Sequence, residues 1–340
     1  MNARAGLAGR TAGRTAAGIA AGLLAAGFLG ACGDAGSSGT EAPATAASGG
    51  CAPVAGEELV VLEDDKKLQT VDNIIPAVNT KAAEAALPAL DKVSAALDTP
   101  KLIALNKSVD VDRKTAKVTA EEFATTAGLT TGITKGQGGK LTVGAGNFSE
   151  SQILAELYRI ALTAAGYQVT VQQIGNRELY EPALERGEVH VVPEYVGTLT
   201  EFLNKKLNGA SATPIASSDL DKTVTGLKEL GAKSNLSFGT PSPAADQNAF
   251  AVTKAFADKN AVKTLSELAE KCSGEDTILG GPPECPQRPF CQPGLQDTYG
   301  LSFGPFSSLD AGGPQTKTAL KTGKISIGLV FSSDGALAAG

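Results

Sequence analysis

The sequence predicts an α/β protein of two lobes, each a sheet with helices packed on it. Three observations carry that expectation. Residues 140–195 alternate short apolar runs with amphipathic ones in the order β-α-β-α-β, joined by short connections, a pattern that makes parallel sheets with helices on both faces. A second α/β block begins after TPSPAAD, residues 240–246. The segment from 76 to 129 is helical in pattern and holds no strand that could form a sheet of its own, so its helices must cover a sheet built from later residues.

Each element follows from local chemistry. The stretch ELVVLEDDKKLQTVDNIIPAVN, residues 58–79, reads as a strand, a charged turn and a second apolar run. Helices are expected over 80–97 with a break at Pro88, over 99–108, and over 115–127 with Gly128 as the stop. TGITKGQGG, residues 131–139, is a flexible joint. Lys140 to Ala145 is a strand, and Ser149-Glu150-Ser151-Gln152 reads as a capping box opening a helix whose Ile153, Leu157, Ile160 and Ala164 share a face. Gly166 ends it, followed by a strand at 167–173, a helix at 177–186 closed by Gly187 and a strand at 188–192. A helix then runs from Ser218 as N-cap to Gly231. In the second block a strand is expected at 247–252, a helix at 263–271, a Pro/Gly-rich loop over 280–300, a helix at 314–322 and a strand at 324–331.

Composition narrows the function. The 340 residues are 42% hydrophobic and 19% charged, enough for one large core or two smaller ones and too much for a single small module. A net charge of −6 gives no basic field for phosphate backbones, so nucleic acid is excluded as a partner. The only histidine, His190, lies inside an expected strand, which argues against Ser-His-Asp or Cys-His catalysis and for a non-enzyme. Arg4, Arg10 and Arg14 precede an apolar run from Ala16 to Leu29, too short to span a bilayer comfortably, and 1–31 reads as an export signal. Leu29-Gly30-Ala31-Cys32 resembles the lipobox of bacterial lipoproteins, which implies lipidation at Cys32 and a membrane-anchored, extracytoplasmic protein. Residues 32–56 then form a flexible tether. The remaining cysteines, Cys51, Cys272, Cys285 and Cys291, are even in number, and an oxidising compartment favours disulfides over metal ligands; no CxxC pair or histidine cluster supports zinc, and no cofactor is expected. Three pairings are open. Pairing within Cys285-Pro-Gln-Arg-Pro-Phe-Cys291 is the simplest and leaves Cys51 with Cys272.

Four motifs, VGAGNFSESQILAELYRIALTAAGY, GNRELYEPALERGEVHVVPEYVGT, PPECPQRPFCQPGL and GLVFSSDGAL, together resemble the substrate-binding proteins of osmoprotectant ABC importers, which capture glycine betaine, choline and related quaternary amines. The resemblance covers 57–129 and 140–340. It implies a two-lobed periplasmic-binding-protein fold of type II, with parallel or mixed sheets and a ligand cleft that closes about a hinge. It also implies an ABC permease and its ATPase as partners, a lipid-anchored place on the outer face of the bacterial cytoplasmic membrane, and a monomer. In that family the segment matching 57–129 follows GLVFSSDGAL; here it comes first, which implies a circular permutation joined through 131–139. The expected organisation is 57–72 as crossover and edge of lobe 2, 73–130 as helical part of lobe 1, 131–139 as the permutation linker, 140–243 as lobe 1 and 244–340 as lobe 2.

A quaternary ammonium has no donor to offer, so aromatic faces must receive it. Tyr195 in PEYVGT and Phe331 in GLVFSSDG match cage aromatics of the family. Where relatives carry a tyrosine this chain has Asn248, and a second such position falls at or beside Asn73. Arg288 and Thr198 match carboxylate-binding positions. The family's lysine in the first strand-helix loop is replaced by Gly146, leaving Asn147 and Phe148 at a helix N-terminus whose free N–H groups favour an anion. Asp246, at the lobe crossover, completes the expected set. Tyr180, Arg177 and Glu194 read as structural. The alternative to import is a surface protein that binds another small polar solute, or a sensor subunit.

Overall fold

The computed structural model describes residues 49–337; the expected export signal, Cys32 and the tether up to residue 48 lie outside them. The described chain is a mixed α/β structure with two five-stranded sheets, as expected of the two-lobed binding-protein fold. One sheet holds strands β2 (Ile74–Asn79), β3 (Lys140–Gly146), β4 (Gln168–Gly175), β5 (Val191–Tyr195) and β6 (Leu236–Phe238) in the order β4-β3-β5-β2-β6. The other holds β1 (Leu59–Leu62), β7 (Asn248–Thr253), β8 (Leu279–Gly281), β9 (Ser307–Ser308) and β10 (Ile327–Phe331) in the order β1-β7-β10-β8-β9. The unit from 140 to 195 is parallel where expected, with β3 beside both β4 and β5.

The early segment is built into both sheets. β1 lies antiparallel to β7, and β2 lies antiparallel to both β5 and β6. β2 is buried along its whole length. Its alternate side chains serve different cores: Ile74 and Val78 pack with Val143, Leu154 and Leu157, while Ile75 and Ala77 pack with Leu184, Leu199 and Leu227 on the other face. Helices Leu87–Ala96, Thr99–Asp110 and Ala116–Thr126 pack on helix Ser149–Ala164, covering the first of these faces. The second sheet builds its core from Phe250, Val252, Leu279, Ile327 and Leu329 against Phe256, Leu268 and Leu295.

Two chain passages cross between the sheets side by side. Ile74 N–H donates to the Ala244 carbonyl at 3.0 Å, Ser242 N–H to the Ile74 carbonyl at 2.7 Å, and Asp246 N–H to the Asp72 carbonyl at 3.0 Å. The end of β10 joins this ribbon through Ser332 N–H, which donates to the Gln247 carbonyl at 2.9 Å. Both disulfides form, Cys51 with Cys272 and Cys285 with Cys291.

Several local expectations are corrected. The capping box at Ser149 does not form: Ser149 Oγ donates to Asp110 Oδ1 at 2.6 Å, Ser151 Oγ accepts from Gly146 N–H, and Glu150 turns into the core. The strand expected at 188–192 starts at Val191, because the N–H groups of Glu188 and Val189 close the preceding helix on the Ala183 carbonyl. The helix capped by Asp219 rather than Ser218 runs through Gly231 to Lys233. Gly231 does not stop it: a Cβ there would lie 2.3 Å from the Phe238 ring, so the glycine lets the helix approach β6. Within 280–300, a helix spans Gln292–Tyr299. It tolerates Pro293 in its first turn, where no N–H is needed, and Gly300 closes it in a left-handed conformation. Helix Val196–Asn208 is a further addition to the expected elements.

Candidate functional site

A cavity of about 370 Å³ lies between the two sheets, within the range of small-molecule sites. Its wall includes Tyr195, Thr198, Arg288, Phe331, Asn248, Asp246, Asn147 and Phe148, so eight of the nine expected ligand residues converge on one space. Asn73 does not join them. Its side chain donates to the Ser242 carbonyl at 2.9 Å, fastening the crossover ribbon, and its neighbour Asp72 lines the cavity instead.

Three aromatic rings meet there. Phe148 stands 6.3 Å from Tyr195 and 5.6 Å from Phe331 between ring centroids, each pair tilted by about a third of a right angle. The chain folds this way because each ring sits at the end of a sheet strand or just past one: Tyr195 closes β5, Phe331 closes β10, and Phe148 follows β3. Phe290, Tyr180 and Phe202 add apolar wall.

Beneath the rings lies a buried polar network, of whose acids the sequence marks only Asp246. Glu150 accepts from Tyr195 Oη at 2.7 Å, from Asn106 Nδ2 at 2.6 Å and from Ser333 Oγ at 2.5 Å. Burial pushes its carboxyl above the ordinary range, with these donors pulling the other way. Its position was legible in principle, since Glu150 precedes Ile153 and Leu157 by three and seven residues and so shares their buried face. Asp246 accepts from Ser333 N–H at 3.0 Å; burial, with the charge of Glu150 adding to it, pushes its carboxyl well above the ordinary range. Asp72 accepts from the N–H groups of Gly197 and Thr198, at 2.9 and 3.0 Å, and burial pushes its carboxyl up to about 7.

Arg177 is the buried cation of the wall. Its guanidinium grips Glu194 at 2.8 and 2.6 Å and donates to Thr198 Oγ1 at 2.9 Å, while Tyr180 Oη donates to Glu194 at 2.9 Å. Tyr180, Arg177 and Glu194 are thus bonded to one another, and Arg177 and Tyr180 also line the cavity. Arg288 stands at the mouth, where its guanidinium meets Glu178 across the cleft at 3.0 Å and Glu284 of its own lobe at 3.4 Å. Asn176 Nδ2 also crosses, donating to Glu284 at 3.3 Å. The helix start at Asn147 and Phe148 carries the buried carboxylate of Glu150, which opposes an anion there. His190 is outside the cavity wall, its Nδ1 accepting from Thr142 N–H at 2.9 Å. Among the described residues no helix is long and apolar enough to cross a membrane.

The family model described as the substrate binding domain of ABC-type glycine betaine transport system matches residues 53–126 and 139–339. No curated protein matches the chain. Proteins of this family are extracytoplasmic, non-catalytic binding components of ABC importers for glycine betaine-type solutes. With that match running over both sheets and every residue of the cavity wall, the chain belongs to the family of substrate-binding domains of ABC-type glycine betaine transport systems.

Proposed function

We propose that this chain captures a quaternary amine or a related compatible solute between its two lobes and delivers it to a membrane permease energised by its ATPase. The observation that carries this reading is the convergence of Phe148, Tyr195 and Phe331 over buried carboxylates in a cavity between two sheets. Ring faces attract an alkylated ammonium, and low-dielectric surroundings strengthen its attraction to the acids. Asn248, Asn147 and Asp246 supply polar contacts. Thr198 and Arg288 are the groups that would meet a carboxylate on the ligand; in this structure both already have protein partners, Arg177 and Glu178. Asn73 acts on the site through the ribbon.

In this reading Cys32 carries the lipid and the tether holds the protein to the outer face of the membrane, where it works as a monomer. The expected tether range of 32–56 is shortened at its far end, because Gly49, Cys51, Val54 and Gly56 are fastened to Asp276, Cys272, Thr253 and Lys321. Residues 57–129 are the family's C-terminal segment moved to the front and rejoined through 131–139. The interruption of the family match between 126 and 139, and the pairing of β1 and β2 within sheets formed by later strands, support that permutation. In this reading 57–72 form a crossover and the edge of lobe 2, 73–130 and 140–243 form lobe 1, and 244–340 form lobe 2.

A thermal-shift panel of glycine betaine, choline, carnitine, ectoine and proline at millimolar concentration tests the assignment. A ligand at a hundred times its Kd stabilises the folded state by about 2.7 kcal/mol. At least one compound is expected to raise the melting temperature; no shift with any would overturn the solute class.

A further inference from the structure

The charged groups of the cavity wall are unevenly committed. Arg177 is paired with Glu194, Arg288 with Glu178 and Glu284, and Lys206 with Glu181 and Glu185. Lys205 has no ion pair among the described residues, but it lies seven residues along its helix from Thr198, about 10 Å at the helical rise. The acids divide differently. Glu194, which is not part of the wall, has both oxygens occupied, by Arg177, Tyr180 and the Tyr195 N–H, and Glu178 and Glu284 of the wall are paired with Arg288.

Asp72 and Asp246 do not. Asp72 receives all its donors on Oδ1, from Gly197 N–H, Thr198 N–H and Thr198 Oγ1, and Asp246 receives Ser332 Oγ and Ser333 N–H on its own Oδ1. Among the described residues Oδ2 of each has no partner. Both residues line the cavity while only 5% and 4% exposed, and their backbones are joined by the Asp246-to-Asp72 hydrogen bond. Two deeply buried carboxylates therefore share one space, each anchored by one oxygen and unmet on the other. Neither Oδ2 is among the fully buried atoms without a partner, so each keeps some exposure until a ligand covers it, and a ligand that covers it matches it best with a donor that also carries positive charge.

A fully methylated ammonium brings charge but no donor. A zwitterion brings a carboxylate that would face Asp72 and Asp246, with Arg177 and Arg288 already engaged. Resting on the reading that this cavity is the solute site, we propose that its preferred ligand is a net cation carrying N–H donors, a protonated amine or amidinium without a carboxylate. Its N–H groups meet Asp72 Oδ2 and Asp246 Oδ2, and its alkyl body lies against Phe148, Tyr195 and Phe331.

The test is a calorimetric titration of the whole purified protein with four compounds that separate the two features. N,N-dimethylethanolamine has an N–H and no carboxylate; choline has neither; dimethylglycine has both; glycine betaine has only the carboxylate. The expected order puts N,N-dimethylethanolamine first, tighter than choline by about tenfold or more, the worth of a charge-assisted hydrogen bond. Both carboxylates are expected to bind more weakly than their counterparts. In Asp246→Asn the gap between N,N-dimethylethanolamine and choline should shrink, whereas the choline Kd should move less. Glycine betaine binding tightest, or equal affinity for N,N-dimethylethanolamine and choline, overturns the inference and leaves the solute site standing. No binding by any of the four at millimolar concentration overturns both. The wild-type series decides alone should the variant fail to fold.

Discussion

Replacing Glu194 with glutamine tests the scaffold beneath the cavity. The Arg177 and Glu194 side chains are 6% and 1% exposed, and the carboxylate receives four donors: Arg177 Nε and Nη2, Tyr180 Oη and the Tyr195 N–H. Glutamine keeps the shape, but one of its two terminal atoms is an NH2 that must face a donor, and Arg177 loses the counter-ion it is hydrogen-bonded to, keeping only the more distant Asp72. Breaking a buried pair by removing one partner costs about 3–5 kcal/mol. Set against a usual total of about 5–15 kcal/mol, that is a large fraction of the stability. The chain has no tryptophan, so urea unfolding is best followed by circular dichroism. The midpoint should fall with an unchanged slope. The double variant Arg177→Met/Glu194→Leu, which removes both charges, should recover most of the loss, since an apolar pair of similar volume is often neutral or better. A single-variant loss below about 1 kcal/mol, or a double variant as damaged as the single one, would refute the argument.

Two further outcomes are expected. The disulfide between Cys51 and Cys272 joins residues 221 apart, for which loop entropy gives about 5 kcal/mol, whereas the one between Cys285 and Cys291 joins residues 6 apart, worth about 2 kcal/mol. Serine at both members of the first pair should therefore lower the melting temperature more, and serine at both members of the second should weaken solute binding more, because that loop forms cavity wall; the reverse ranking would contradict this. The Asp72 carboxyl, pushed up to about 7 by burial and flanked by Arg177 and the likewise raised Asp246, has a folded value above its unfolded one of about 3.9. Its contribution to stability is full below the unfolded value and is lost as pH rises through about 7, while affinity for a cation rises over the same window as the group ionises. Denaturation and calorimetry across that range should show opposite slopes, both flattened in Asp72→Asn; affinity that falls with rising pH would contradict the sign.

The sequence carried the architecture well, because hydrophobic period and glycine stops are local. Residues 140–145, 177–186 and 314–322 are readable on those terms, and the two disulfides follow from the even cysteine count and the short Cys285–Cys291 spacing. Tertiary contacts override the local signals in two places: Gly231 is a packing contact and not a stop, and the capping motif at Ser149 is diverted to Asp110 and the core. At the site, residues with a motif around them were legible, as Tyr195 and Phe331 show. Asp72 and Glu150 were not, because a buried acid has no sequence mark beyond its place on a helix face or beside a crossover. The exchange of Asn73 for Asp72 is a shift of one residue in an extended chain, which turns a side chain to the opposite face.

The crossover ribbon places the two unmet aspartates on the strands that pass between the lobes, not on the lobes' outer edges. On the proposed reading, in which the lobes turn about this ribbon, cargo is gripped near the axle: the spacing of Asp72 and Asp246 hardly changes with rotation, while Glu178 and Arg288, already in contact across the cleft, travel farthest. The girth of the cargo, acting on a short lever arm, then sets how far the outer surfaces swing.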